Sequence, residues 1–185
     1  FTFDFADIDV NLLTGNASVK NIMFKPNPRI FEKLKAELKA PRHLFQVEID
    51  ELNLESVRPW KVYFRKKLQM ESILIANPRV KVFFEKVERI DSLEQDNRTA
   101  YQRLSRFLKG VEIQTILFRN ADFQYIDKSY KKPRVEKVKN LSIKVTDLLI
   151  DSLSQYDKSR FYYTKDIAGH VADHIYNTPE GMYTI

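Results

Sequence analysis

Met70-Glu71-Ser72-Ile73-Leu74-Ile75-Ala76-Asn77-Pro78-Arg79-Val80-Lys81-Val82 is the stretch whose spacing recurs along the chain. It begins with an apolar residue, continues with two polar ones and then reads apolar-x-apolar. The same spacing occurs at Phe5/Ile8/Val10, Val19/Ile22/Phe24, Ile49/Leu52/Leu54, Ile113/Ile116/Phe118 and Val138/Leu141/Ile143. One copy is longer, because Ile113 to Asn120 matches Met70 to Asn77 position by position, with Phe123 and Tyr125 where Val80 and Val82 stand. The chain therefore contains a weak internal repeat, which takes precedence over other signals in predicting the fold.

The repeated stretch has the pattern of a β-strand with one irregularity. Ile73/Ile75 and Val80/Val82 each follow the period of two that places residues on one face of a sheet. The spacing of three before the alternation is what an added residue in a β-bulge would produce. Asn77-Pro78 marks a turn or an edge, because proline cannot donate to the ladder. The pattern predicts a small β-hairpin unit used several times.

Composition limits the classes of protein to consider. A chain of 185 residues with 43% hydrophobic content can form one substantial core or one elongated sheet. The absence of cysteine excludes a disulfide framework and a thiolate metal site. The net charge of +6 comes from interleaved cations and acids, which favours a solvated face over a nucleic-acid footprint. Alternating runs at both ends indicate a segment of a longer polypeptide.

The elements follow from periodicity and from turn residues. We expect a single segment, 1–185, with β-units at 1–25, 44–90 and 111–185 and two short amphipathic helices at about 28–40 and 92–109. Asn27 is expected to cap the first helix, with Pro28 at its first position. Val62 and Phe64 indicate a short strand, and Phe161 to Tyr176 a long one. The predicted fold is mainly β, an elongated, curved antiparallel sheet of nine to eleven strands.

No constellation of residues indicates catalysis or a metal. His170 and His174 share a face on a strand but would stand roughly 13 Å apart, too far to ligate one zinc ion. No serine elbow, Walker loop or dinucleotide fingerprint is present in the sequence. We therefore predict a protein that is not an enzyme and binds no cofactor or metal.

Two basic clusters contain aromatic residues. Lys61, Arg65, Lys66 and Lys67 surround Trp60, and a second group at 128–134 surrounds Tyr130. Rings among cations can stack on bases, or can lie at the headgroup level of a lipid bilayer. A solvated loop is the third interpretation. The first cluster is our candidate for a headgroup or interface contact.

The predicted strands present more apolar surface than two short helices can cover. Such a sheet either closes on itself as a sandwich or barrel, or leaves an apolar trough that binds a ligand. Periodicity alone favours the closed sandwich. A trough would suit acyl chains, because burying each CH₂ is worth about 0.8 kcal/mol.

Phe3 to Ile22 resembles the opening of AsmA-like envelope proteins, particularly those of Bacteroidota, and the resemblance continues through Ile73 to Val80 and Asp147 to Asp166. Those proteins are related to TamB-like and bridge-like lipid-transfer proteins. The resemblance implies an N-terminal transmembrane anchor outside this segment, followed by repeated β-units that form a long apolar groove across the periplasm. It also implies a role in moving phospholipid between membranes or in maintaining the outer membrane. This chain lacks the anchor and most of the repeats, so the resemblance does not imply a complete conduit.

The resulting expectation is a non-enzymatic segment, in the periplasm, whose apolar β-groove contacts the acyl chains of phospholipid and binds no nucleic acid. The candidate lipid-facing residues are Ile73, Ile75, Val80, Val82, Ile116, Phe118, Phe123, Tyr125, Leu141, Ile143 and Val145. The alternative is a structural scaffold with a closed, dry core that supports envelope or outer-membrane protein assembly. It predicts that the same side chains contact one another across two sheets.

Overall fold

The protein is mainly β, and its computed structural model describes residues 1–88 and 98–175. These residues form one nine-stranded sheet with three short α-helices. The strands are β1 (Thr2–Asp4), β2 (Asp7–Asn11), β3 (Asn16–Lys25), β4 (His43–Glu55), β5 (Lys67–Ala76), β6 (Arg79–Phe84), β7 (Gly110–Asp127), β8 (Arg134–Ile150) and β9 (Asp166–Ile175). The helices are α1 (Pro28–Ala36), α2 (Pro59–Arg65) and α3 (Ala100–Leu104), with a 3₁₀ turn over Ser154–Tyr156.

The sheet is mixed, so the prediction of an antiparallel sheet is wrong. Its order is β1-β3-β4-β5-β7-β8-β9, with β2 beside β3 and with β6 between β4 and β7. Both β5 and β6 run parallel to β7, whereas every other pair is antiparallel. A parallel pair needs a crossover of a dozen residues or more, and residues 85–109 provide that length between β6 and β7.

The two copies of the internal repeat are these parallel neighbours. Met70 pairs with Ile113, Ile75 with Phe118, and Val80 with Phe123, always 43 residues apart in sequence. Residues that match position by position in the repeat are therefore the residues that pair between β5 or β6 and β7.

Asn77-Pro78 does not reverse the chain, and the prediction of a hairpin at this stretch is wrong. Glu51 pairs with Ala76 and Glu48 with Arg79, so β5 and β6 continue in one direction along the same neighbour with no change of register. Asn77 has a φ of 50°, which bends the line of the chain between the two strands. Pro78 interrupts the ladder at the same point, because it lacks an N–H.

The first helix begins at Pro28 as predicted but ends at Ala36 rather than near residue 40, where Leu38 has a φ of 56° that is not helical, and the other helices differ more. The Asn27 side chain accepts hydrogen bonds from the N–H groups of Arg29 and Ile30, with Pro28 in the first turn. The segment predicted as a strand at Val62 and Phe64 is helix α2, because Pro59 fixes a helical φ at its start. Of the predicted helix at 92–109, the structure describes residues 98–109 and shows α3 alone. The expected start at residue 92 lies outside the described residues.

The last long strand begins at Asp166 rather than Phe161, because a buried arginine holds the preceding residues in a loop. Arg160 donates to the backbone oxygen of Asp147 at 2.6 Å and pairs with the Asp147 and Asp157 carboxylates at 3.3 Å. Lys165 pairs with Asp147 at 2.8 Å. The region from 161 to 165 therefore leaves the sheet.

Six of the buried apolar residues form two small clusters at opposite ends of the sheet, whereas Ile22, Val82 and Ala121 are buried outside both clusters. One contains Phe31, Ala40 and Val87, beneath α1. The other is formed by Met70, Val111 and Ile113. Among the described residues no large side chain is completely buried. The middle of the sheet thus lies between two local cores.

Candidate functional site

A line of irregular backbone crosses the sheet near the start of β5. It joins Gly15 and Ser56, which immediately flank β3 and β4, with Glu71, Gln114 and Asp147; the register of the neighbouring pairs places these five residues opposite one another. Gly15, Ser56 and Asp147 have φ between 52° and 73°. The Ser56 hydroxyl donates to the Glu71 carboxylate at 2.9 Å, which links two neighbouring strands. We call this the first bend line.

A second line lies six residues further along each strand, or about 20 Å away. It contains Asn21, Asp50, Asn77 and Asn120, and the three asparagines have φ of 50–53°. The Asn77 amide donates to the Asp50 carboxylate at 3.0 Å, and the Asn120 amide donates to the Asn77 side-chain oxygen at 3.4 Å. Asparagine suits this line because its side chain hydrogen-bonds locally in the left-handed region. We call it the asparagine line.

The bend lines explain the spacing of three in the repeat. An irregular residue shifts the alternation of a strand by one position, so Met70 and Ile73 end on the same side of the sheet. Their side chains belong to one packed cluster, together with Ile113 and Ile116. Along β4 the predicted bulge is not found, because β5 and β6 carry the irregularity at the same level as β4 and the register stays constant. Between β7 and β8 the register does shift at the asparagine line, once between Phe118 and Ala121 and again between Ala121 and Phe123.

Between the two lines, one side of the sheet is apolar across six strands. One row of neighbours contains Ala17, Leu54, Ile73, Ile116, Val145 and Ile167; the next contains Val19, Leu52, Ile75, Phe118, Ile143 and Gly169. Beyond the asparagine line the same spacing continues this side through Pro78 to Val80, and then to Val82. We call this side the apolar face.

All eleven candidate residues from the sequence lie on the apolar face in adjacent positions. They are Ile73, Ile116 and Val145; Ile75, Phe118 and Ile143; Leu141; Val80 and Phe123; and Val82 and Tyr125. Val82 is buried, Phe123 is 36% exposed, and the other nine are half-buried. Ten of the eleven side chains therefore retain exposed surface, and Val82 is the exception.

The eleven candidate residues do not cover the whole face, because β3 and β4 contribute to the same rows. Ala17, Val19, Leu52 and Leu54 lie directly beside Ile73 and Ile75 or one strand further on. The signal for three of these positions was present, since Val19, Leu52 and Leu54 lie in copies of the repeated spacing. These residues extend the face because β4 lies beside β5 in the sheet and β3 lies beside β4. The repeated spacing does not determine that strand order.

The opposite side of the sheet is largely polar, with an ion-pair network near the asparagine line. Arg79 contacts the Asp50 carboxylate at 2.9 Å and the Glu48 carboxylate at 3.2 Å. The hydrogen bond from Arg79 lowers the pKa of Asp50, while hydrogen bonds from Gln46 and then Arg79 lower the pKa of Glu48. Both carboxylates therefore favour their ionised form beside Arg79 on this polar side.

The sequence matches no protein-family model and no curated protein.

The predicted interface cluster lies on and beside α2, at the end of the sheet beyond the first bend line. Trp60 is 73% exposed and stacks on Phe64 with ring centroids 6.3 Å apart. Arg65, Lys66 and Lys67 are exposed, and Lys61 is half-buried and donates to Gln69. The cluster does not adjoin the candidate rows at Ile75; it lies at the end of the strands that carry them.

The described residues contain no group of three or more histidine, aspartate or glutamate side chains placed to hold a metal ion. His170 lies on β9 opposite Ser142, and the ring of His43 lies 5.2 Å from that of Phe84. Within residues 1–88 and 98–175, no helix is long and apolar enough to cross a membrane.

Proposed function

We propose that this chain is a non-enzymatic segment of a cell-envelope protein whose apolar face solvates the acyl chains of phospholipid. In this proposal it lies in the periplasm, is held to the inner membrane by an anchor outside the segment, and contributes to phospholipid transport or outer-membrane maintenance. The carrying observation is the apolar face itself: two full rows of apolar side chains in register across the sheet.

Partial burial of that face favours a lipid over a second protein layer. In a sandwich, side chains at the middle of the inner face interdigitate with an opposing sheet and become fully buried. Ile75 and Phe118 are at the middle of their row and are only half-buried. Soluble proteins rarely expose apolar patches beyond a few hundred Å² without a partner.

The energy of such a contact is adequate. At about 0.8 kcal/mol per CH₂, an acyl chain of ordinary length gains on the order of 10 kcal/mol before the cost of ordering. The polar side, with its ionised Asp50 and Glu48, offers no comparable gain. The acyl chain should therefore contact only the apolar face of the sheet.

Adjacent residues on opposite sides of β7 provide the test. A photoreactive benzoylphenylalanine at Phe118 should crosslink to phospholipid acyl chains in cells, whereas the same residue at Leu117 should not. Both side chains are half-buried, so they form a matched pair that differs in the side of the sheet. Equal crosslinking at the two positions, or none at Phe118, would overturn the proposal.

Native mass spectrometry gives an independent measurement. Gently purified protein should carry phospholipid adducts, which Phe118→Asp should reduce. A clean mass without adducts, found also for a longer parent chain, would count against lipid contact.

The alternative scaffold makes the opposite prediction. It requires the apolar face to be covered by another polypeptide layer, so that benzoylphenylalanine at Phe118 would crosslink to protein. Among the described residues the strands form a single sheet, which is the observation that places this candidate second.

A further inference from the structure

A continuous rim of four loops forms the end of the sheet beyond the first bend line. The connecting segments are 11–15, 56–67 with α2, 98–109 with α3 and 151–165 with the 3₁₀ turn, and we call them together the loop end. Val57 donates its N–H to Gly15 at 2.8 Å, and Lys109 to Lys66 at 2.6 Å. The Thr99 hydroxyl donates to Gln155 at 3.1 Å. These bonds join each loop to the next.

Every loop of this rim exposes a large apolar side chain. Leu13 is 99% exposed in the first loop, Trp60 73% in the second, Phe107 76% in the third and Tyr156 77% in the fourth. The Asn11 side chain accepts hydrogen bonds from the N–H groups of Leu13 and Thr14, which fixes the first loop in its outward position. Large apolar groups thus protrude together at one end of the molecule.

The loop end also concentrates positive charge. Between 56 and 67 there are five basic residues and no acidic residue, and between 98 and 109 there are four basic residues and no acidic residue. The loop end carries more net positive charge than the whole chain, whose balance is +6. The remaining residues therefore sum to a net negative charge, although the segments 25–42 and 128–134 at the opposite end of the sheet are themselves net positive.

Protruding aromatic and leucine side chains among cations match the interface of an anionic bilayer, where rings lie at headgroup depth and cations meet phosphates. The centre of a protein interface is instead depleted in charged residues. Single-stranded nucleic acid is bound in a groove lined by stacking rings, but Trp60 and Phe64 stack on each other at the surface.

We propose that the loop end docks on the surface of an anionic phospholipid bilayer, with Leu13 and Trp60 inserted to headgroup depth and the strands running away from the membrane. This surface extends the proposed function, since it would place one end of the apolar face beside a source of acyl chains. The loop end is separate from the rows of the apolar face at Ile75 and Phe118. The experiment that tests it therefore measures different residues.

Trp60 is the only tryptophan in the chain, so its fluorescence reports this surface alone. Vesicles of equal parts phosphatidylcholine and phosphatidylglycerol should shift its emission to the blue, and brominated acyl chains should quench it. Vesicles of phosphatidylcholine alone should do so much more weakly. Added salt should weaken the effect.

Paired charge variants locate the contact. Each basic residue near an anionic surface strengthens binding about fivefold, so Arg65→Gln with Lys67→Gln should weaken vesicle binding about 25-fold. Lys131→Gln with Lys132→Gln removes the same charge at the opposite end of the sheet and should change binding less than about fivefold. Leu13→Ser should reduce quenching by brominated lipid.

Three results would overturn the proposal: an unchanged Trp60 spectrum with anionic vesicles, equal losses from the two charge pairs, or a single-stranded oligonucleotide that binds more tightly than the vesicles. Crosslinking at Phe118 with no vesicle docking would overturn this proposal alone, whereas docking with no crosslinking would overturn only the acyl-chain proposal.

Discussion

Replacing Asn77 tests whether the bend lines are built into the sheet by local backbone conformation. Asn77 has a φ of 50° and donates to the Asp50 carboxylate at 3.0 Å. An ordinary L-residue in the left-handed region costs about 1–2 kcal/mol, and an exposed hydrogen bond contributes about 0.5–1.5 kcal/mol. Asn77→Ala should therefore lower the free energy of unfolding by about 2 kcal/mol. Asn77→Gly loses the bond but not the conformation, and should lower it by about 1 kcal/mol.

The order of the two variants is the informative result. In a regular strand glycine is worse than alanine by about 0.5–1 kcal/mol, because it loses more conformational entropy on folding. Thr115 is paired with Ser72 on one side and Thr146 on the other and does not have a positive φ, so Thr115→Ala and Thr115→Gly provide the control.

Urea unfolding measures both pairs. With a slope near 2 kcal/mol per molar urea, the Asn77 variants should differ in midpoint by about 0.5 M, with glycine the more stable. The Thr115 variants should differ in the opposite direction. If alanine equals or exceeds glycine in stability at both positions, the left-handed conformation at the asparagine line is refuted.

Three further predictions concern stability. Ile113→Ala, in a buried cluster, should cost about 3 kcal/mol, whereas Ile143→Ala on the half-exposed apolar face should cost about 1 kcal/mol in the same urea assay; equal losses would contradict an uncovered face. Arg79 helps to lower the pKa of its two carboxylate partners, so its stabilising effect is present above about pH 4 and is lost as pH falls through their folded pKa values. The difference in unfolding free energy between the wild type and Arg79→Gln should therefore shrink from neutral pH to about pH 3, and a constant difference would contradict the ion pairs. Gly15→Ala should cost about 2 kcal/mol or more in thermal unfolding, because φ is 73° and a Cβ would overlap a neighbouring carbonyl oxygen, whereas Gly169→Ala, with open space around it, should cost nothing.

The local pattern of the sequence predicted which residues share a face, but not how strands are arranged. The spacing of Met70, Ile73 and Ile75 contained both the alternation and its interruption, and all eleven candidates occupy adjacent positions on one side. Side-chain alternation is a local property, which a single strand expresses on its own.

Strand direction depends on connections that the pattern does not encode. Asn77-Pro78 has the composition of a turn, yet the constant register along β4 shows a bend within one line of chain. A left-handed asparagine followed by proline suits both a turn and a bend within a strand. Only the pairing with neighbouring strands distinguishes the two. The parallel pairing could have been inferred from the length of residues 85–109, which returns the second copy to the same end of the sheet.

Helix α2 was missed for a related reason. Val62 and Phe64 alternate over too few residues to distinguish a strand from one helical turn, and Pro59 favours the helix. Its exposed rings bury nothing within the described fold, so no core-facing periodicity was available to reveal it.

The two bend lines restrict how a protein of this kind can change its length. Inserting one residue between Glu71 and Asn77 would move Ile73 or Ile75 to the polar side of the sheet. It would also break the side-chain hydrogen bonds that join neighbouring strands at one of the two lines. Adding a complete 43-residue copy would instead keep both bend lines at the same level. It would widen the apolar face by another strand in the same register. Such a sheet can grow by whole modules while tolerating little change within one.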